Sequence, residues 1–113
     1  MKVTVLGSGG ALMTPRPGCA CRVCASARAN PGEWRAEPSV YVHDAALLVD
    51  APEDIVPSLN RAGIDRVDHL FISHWHPDHC AGLRVVETLT WDLAKAGASR
   101  AIDVWLNETT LAR

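Results

Sequence analysis

The residues from 74 to 79 have the types and spacing best suited to chemistry. His74-Trp75-His76-Pro77-Asp78-His79 gathers three of the five histidines and one aspartate into six positions. Imidazole nitrogen and carboxylate oxygen are donors that zinc, manganese and iron accept. In an extended turn His74 and His76 stand two apart, so both rings can face one side. Asp78 and His79 then fall at the start of a helix, turned toward a second position. One short turn can therefore offer ligands to two ions. The competing reading is a capping turn with scattered surface histidines, in which Asp78 is only an N-cap. Such density directly after an apolar strand argues against it.

A second cluster lies earlier. Gly18-Cys19-Ala20-Cys21-Arg22-Val23-Cys24 holds three of the four cysteines. Thiolates at this spacing suit a tetrahedral structural zinc. Three ligands leave one place open, for His43, His69, Cys80 or a group outside this chain. A disulfide, or three ordinary cysteines, is the alternative. Arg16, Arg22, Arg28 and Arg35 surround this stretch and could meet a substrate's phosphate, although solvated loop charges are the commoner case.

The elements that must position these residues follow from patterning. Lys2 to Leu6 alternates polar and β-branched residues before Gly7-Ser8-Gly9-Gly10, which predicts a strand ending in a tight turn. That glycine turn lacks the Lys-Ser/Thr of a phosphate-binding loop and the spacing of a dinucleotide fingerprint. Residues 8–38 read as one long irregular loop that a metal clip would cross-link. Ser39 to His43 and Ala46 to Asp50 read as a hairpin around Asp44-Ala45. Glu53 to Ala62 predicts a helix, with Pro52 and two acids in its first turn and Gly63 as its cap. Val67 to Ile72 predicts an apolar strand feeding the histidines, at the kind of strand end where α/β folds collect function. Ala81 to Ala96 predicts a second helix, and Gly82 removes a side chain where that helix start must pack. Ala101 to Leu106 predicts a last strand, and Asn107-Glu108 opens a helix that the chain leaves after one turn. The order indicates an α/β sandwich.

With 113 residues the chain is one small domain, residues 1–113. A net charge of −2 offers no general attraction to nucleic acid or an acidic membrane. No apolar run approaches the roughly 20 residues of a membrane span, and the N-terminus lacks a signal-peptide core. A cytoplasmic location is expected, where thiols stay reduced and favour metal ligation over disulfides.

The histidine motif resembles the His-x-His-x-Asp-His motif of the metallo-β-lactamase superfamily. The resemblance implies that His74 and His76 hold one metal and that Asp78 and His79 hold the other. It gives Asp78 a catalytic role in orienting a bridging hydroxide. Asp50, ending Leu47-Leu48-Val49-Asp50, matches the superfamily's strand-end aspartate that supports the site from behind the ligands, although a turn or N-cap role reads equally well. The glycine turn, then Gly-Cys-x-Cys-x-x-Cys, then the histidine motif, is similar to the PhnP branch, the phosphoribosyl cyclic phosphate phosphodiesterases. There the three cysteines hold a structural zinc with a later histidine. Related branches include RNase Z, against which the cysteine cluster argues, and the PqqB-type proteins.

The implied fold is an αββα sandwich of which this chain is the first half, and so reads as truncated. The implied cofactors are two divalent ions, zinc or manganese, and one structural zinc. The implied chemistry is hydrolysis of a small phosphodiester, cyclic ones included, by water that the metal pair brings toward a neutral pKa. The superfamily's later ligands have no counterpart: no histidine follows His79, and Asp92 and Asp103 lack a bridging context. A hydrolase module completed by a C-terminal half or by a homo-oligomer is therefore one expectation. A non-catalytic zinc-binding or assembly module is the other.

Overall fold

The computed structural model of the chain describes residues 1–92, 97–98 and 100–113. Its main sheet has five strands in the order β1-β2-β3-β4-β7. They are β1 (Val3–Gly7), β2 (Ser39–Val42), β3 (Leu47–Val49), β4 (His69–Ile72) and β7 (Asp103–Leu106). β1, β2 and β3 form an antiparallel meander, whereas β4 and β7 join in parallel. Parallel joins require crossovers, and helices supply them. β1, β3, β4 and β7 thus all point the same way, and their carboxyl ends share one edge.

Side chains alternate across the sheet with the period of two that strands impose. Leu6, Tyr41, Leu48, Leu70 and Ile72 are buried under the helices with Ile55, Leu59, Val67 and Val85. On the other face the register aligns Val5, Val40, Val49, Phe71 and Trp105 in one row across all five strands. Val5, Phe71 and Trp105 in that row are exposed, so the face is apolar and uncovered by the described residues.

The helix α2 (Ile55–Ala62) closes at Gly63, whose φ of 68° is the left-handed cap conformation that glycine adopts without strain. The predicted start at Glu53 moves to Ile55, with Glu53 and Asp54 in the preceding turn. The expected strand at Val67 likewise starts at His69. Between β2 and β3 the hairpin reverses through a 3₁₀ turn at His43–Ala45, with Ala46 at φ 46°.

Two expectations are corrected. Residues 8–38 are not one loop. They contain α1 (Arg22–Ala29) and a 3₁₀ turn at Pro31–Glu33. The sequence reading took the cysteines as loop residues, yet Cys21 caps this helix and its apolar side is only Cys24 and Ala27, too short a stripe to show periodicity. The helix expected over 81–96 is also different. α3 (Pro77–Cys80) begins inside the histidine motif, and a turn separates it from α4 (Val85–Thr90). The chain then becomes extended, and β5 (Trp91–Asp92) pairs antiparallel with β6 (Gly97–Ala98). The remainder of that expected helix, 93–96, lies outside the described residues. The last turn, α5 (Glu108–Leu111), forms as expected, with Asn107 Oδ1 accepting from the Thr110 amide at 2.8 Å.

Gly82 packs as its sequence position suggests. A Cβ there would strike the Pro52 carbonyl oxygen and the Ile55 side chain. The Gly82 amide donates to the Ala51 carbonyl at 2.8 Å, and the Ala51 amide donates to the His79 carbonyl at 2.9 Å. This pair of bonds staples α3 beside the end of β3. Gly82→Ala should therefore destabilise the fold by about 2 kcal/mol or more, because backbone must move to admit the methyl group. Urea unfolding measures this, and an unchanged midpoint would refute the close approach.

Candidate metal centre

The histidine cluster sits where β4 ends. Ser73 and His74 continue the strand's direction, and Pro77 starts α3 with the φ it already prefers. The rings converge: His74 lies 3.9 Å from His79 and 4.7 Å from His76, centroid to centroid. Asp78 and His79 are adjacent on the first turn of α3, with Asp78 Oδ2 3.1 Å from His79 Nε2. All four candidate ligands therefore occupy one locality.

Asp50 organises that locality from beneath. It is buried and adopts φ 65°, the left-handed region that non-glycine residues rarely enter. In that pose its carboxylate accepts three hydrogen bonds. The Ser73 amide donates to Oδ1 at 2.7 Å, and the Ser73 hydroxyl and His79 Nδ1 donate to Oδ2 at 2.8 and 2.7 Å. Asp50 does not cap α2, whose N-cap position is Asp54, so the capping alternative fails on position.

These bonds set the tautomers by elimination. With its hydroxyl hydrogen committed to Asp50, Ser73 Oγ is left to accept, and His74 Nδ1 donates to it at 3.0 Å. His79 Nδ1 carries the hydrogen given to Asp50. Both rings then present a bare Nε2. For His79 that lone pair faces an Asp78 carboxylate oxygen, two acceptors opposed across a hydrogen-bond distance. Only a proton or a cation relieves such an arrangement. The donor set of imidazole nitrogens and a carboxylate fits a borderline divalent ion, and an ordered partner behind each ligating ring is the usual support of such sites. Ser73 is the residue that sequence reasoning passed over: it touches Asp50, His74 and His79, and its one signal was adjacency to the motif.

The cysteines form a separate group. The sulfurs of Cys19, Cys21 and Cys24 all lie within 4.8 Å of one another, the one set of three such donors among the described residues. Cys21 Sγ caps α1 by accepting from the Cys24 amide at 3.4 Å. Arg16 binds the cluster twice, its amide to Cys24 Sγ at 3.4 Å and its guanidinium to Cys19 Sγ at 3.5 Å. The Cys21 backbone amide, then the neighbouring thiols and Arg16, pull the Cys19 thiol down to about 6. Cys24 goes up: the Arg16 amide favours its thiolate most, but burial and the two other sulfurs together outweigh it. A thiolate at neutral pH beside two more sulfurs is a soft donor set suited to zinc.

No fourth donor joins the sulfurs among the described residues. His43 bonds Thr4 Oγ1 at 2.7 Å and His69 faces Asp103, both at the sheet edge opposite the glycine turn. Cys80 donates to the Trp75 carbonyl within the histidine cluster. The arginines divide in the same way. Arg16 serves the sulfurs, Arg28 donates to the Arg16 carbonyl at 2.7 Å, and Arg35 donates to the Trp34 carbonyl at 2.9 Å. The glycine turn is a close approach of chains: a Cβ at Gly7 would strike the Glu37 carbonyl, and the Gly9 amide donates to the Ala36 carbonyl at 2.7 Å. Glu37 continues that seam. Its amide donates to Asp54 Oδ2 at 3.1 Å, and burial, then the Asp54 charge, pushes its carboxyl up.

A mixed sheet with helices on one face, and clustered histidines and an aspartate at its strand ends, is the arrangement of the metallo-β-lactamase superfamily, to which this fold belongs. The structure resembles that of a diphosphatase from the PhnP family, with 34% identity, a TM-score of 0.78, and coverage of 97% of this chain and 43% of the other. Human tRNase Z, short form, is similar at 26% identity and a TM-score of 0.57, over 80% of this chain and 30% of that one. Zinc-bound PqqB from Methylobacterium extorquens shares the fold, with 19% identity, a TM-score of 0.65, and coverage of 93% and 45%. The octanoyltransferase of Porphyromonas gingivalis is 34% identical over 93 residues, which is 80% of this chain and 19% of that protein. Residues 27–109 match the family described as anti-Pycsar protein Apyc1, and the chain belongs to that family. The resemblance to the metallo-β-lactamase superfamily and its PhnP branch, read from the motifs, agrees with the similarity to the PhnP-family diphosphatase. The chain spans less than half of each of these solved structures and about a fifth of the octanoyltransferase.

Among the described residues no helix is long and apolar enough to cross a membrane.

Proposed function

We propose that this chain carries the ligand-bearing part of a metal-dependent hydrolase whose substrate is a small phosphodiester, cyclic or linear. One observation supports this most: His74 and His79 are each held by Nδ1 through the Ser73–Asp50 pair, which leaves both Nε2 atoms bare, that of His79 3.1 Å from Asp78 Oδ2. In this reading His74 and His76 hold one divalent ion, Asp78 and His79 hold the second, and Cys19, Cys21 and Cys24 hold a structural zinc. Zinc or manganese at the paired site would supply Lewis acidity and water of near-neutral pKa. The chain's own part is orientation. Asp50 and Ser73 fix the rings, and Asp78 accepts a hydrogen from the attacking water and aims it.

The names of two similar structures, a diphosphatase and a tRNase Z, both describe phosphate chemistry. The octanoyltransferase name belongs to a protein of which this chain matches about a fifth. Hydrolysis of bis(p-nitrophenyl) phosphate, with and without added manganese or zinc, tests the reading. Metal-dependent turnover is expected, and its absence at every metal concentration would reject it. A second reading, a zinc-binding assembly module without catalysis, draws on the cysteines: they form a set of three converged donors.

The apolar row through Val5, Val40, Val49, Phe71 and Trp105 is the surface through which the module would be completed, by a further segment of the fold or by a second copy. Exposed contiguous apolar faces of this kind drive association. If a second copy completes the module, light scattering of the chain alone should give a mass above that of one copy, and a uniform monomer would refute that route.

A further inference from the structure

Two adjoining hollows open beside the glycine turn and α2, and no histidine lines either of them. They hold about 700 and 280 Å³ and share a wall formed by Trp34, Arg35, Ala36 and Arg61. None of the residues lining either hollow is a histidine or cysteine of the metal clusters. The wall carries two exposed guanidinium groups, and among the described residues neither has a carboxylate partner. Arg35 donates only to the Gly32 and Trp34 carbonyls, and Arg61 donates to Ser58 Oγ at 3.3 Å. Two guanidinium groups on one wall exceed the single carboxylate of that lining, Asp54, and their planar forks suit phosphate better than a point charge would.

The smaller hollow supplies the rest of the recognition. Met13 and Pro57 line it beside the Trp34 ring. Trp34 is half exposed, but its indole N–H is committed to the Ala27 carbonyl at 2.8 Å, which fixes the ring's pose. A fixed indole edge among apolar side chains is a platform for a planar ring. Asp54 lines the same hollow, with its Oδ2 accepting from the Glu37 amide and its Oδ1 buried without a hydrogen-bond partner among the described residues.

We propose that this cleft binds a phosphate monoester carried on an aromatic ring, with the phosphate between Arg35 and Arg61 and the ring against Trp34. The site is independent of the metal chemistry. Adenosine 5′-monophosphate is the probe, titrated into the full chain by isothermal calorimetry in EDTA. Saturable binding is expected, with adenosine and inorganic phosphate each about tenfold weaker or more. The double variant Arg35→Ala/Arg61→Ala should weaken the nucleotide about tenfold or more, with an unchanged far-ultraviolet spectrum, and His76→Ala should leave it unaffected. If the double variant fails to fold, Trp34→Leu takes its place and should weaken the nucleotide but not inorganic phosphate. Absence of saturable binding, affinity unchanged in the arginine or Trp34 variant, or loss of binding in His76→Ala would each overturn the proposal.

Discussion

Replacing His76 by alanine should reduce metal-dependent phosphodiester turnover on the order of a hundredfold or more, to the level seen without added metal. The position suits a clean test. His76 is exposed, and its ring makes only edge contacts, 4.7 Å from His74 and 4.7 Å from Trp75. Among the described residues none draws a side-chain hydrogen bond from it, so truncation removes a metal donor without leaving a buried group unpaired. Stability should therefore stay within about 0.5 kcal/mol, as for other surface changes. The diagnostic result is lost turnover with an unchanged urea midpoint. Full turnover in His76→Ala would remove this ring from the proposed centre. Lost turnover with a lowered midpoint would instead make His76 structural.

Asp50→Ala should do the reverse and damage both properties. The carboxylate is buried and accepts from the Ser73 amide, the Ser73 hydroxyl and His79. Its removal leaves those donors facing a low-dielectric gap, which costs on the order of 3 kcal/mol. Alanine also tolerates φ 65° less well than aspartate, which adds to the loss. With its supports gone, His79 no longer holds one tautomer, and metal affinity should fall by about 10- to 100-fold. Urea unfolding and competition against a zinc chelator measure the two effects separately. Asp50→Asn separates them further. It keeps the left-handed backbone and the acceptor for the Ser73 amide, but it can place an amino group against His79. Metal affinity at the wild-type level in both variants would reject the supporting role.

The legible part of the sequence was local. His74, His76, Asp78 and His79 are drawn together within one strand end and one helical turn, geometry that spacing alone dictates. The cysteines converge for the same reason, across the first turn of α1. Gly63 and Gly82 were readable because a cap and a close approach each demand a missing Cβ. The strands of the sheet were readable because apolar runs punctuated by glycine, proline and aspartate have few other uses.

What was not legible depended on partners distant in the chain. Asp50 gains its meaning from Ser73 and His79, 23 and 29 residues away, and a strand-end aspartate alone reads equally well as a turn. The break between α3 and α4 follows from the Gly82 amide reaching the Ala51 carbonyl, a tertiary bond that overrode a helical pattern running on to residue 96. The cleft beside Trp34 joins the glycine turn, the segment after α1 and the far end of α2, which no window of sequence spans. Residue types and spacing determined which atoms could bind a metal, because ligand chemistry is a property of side chains. Tertiary structure decided which nitrogen of His79 is free to do so, because a hydrogen bond to Asp50, 29 residues away, occupies the other.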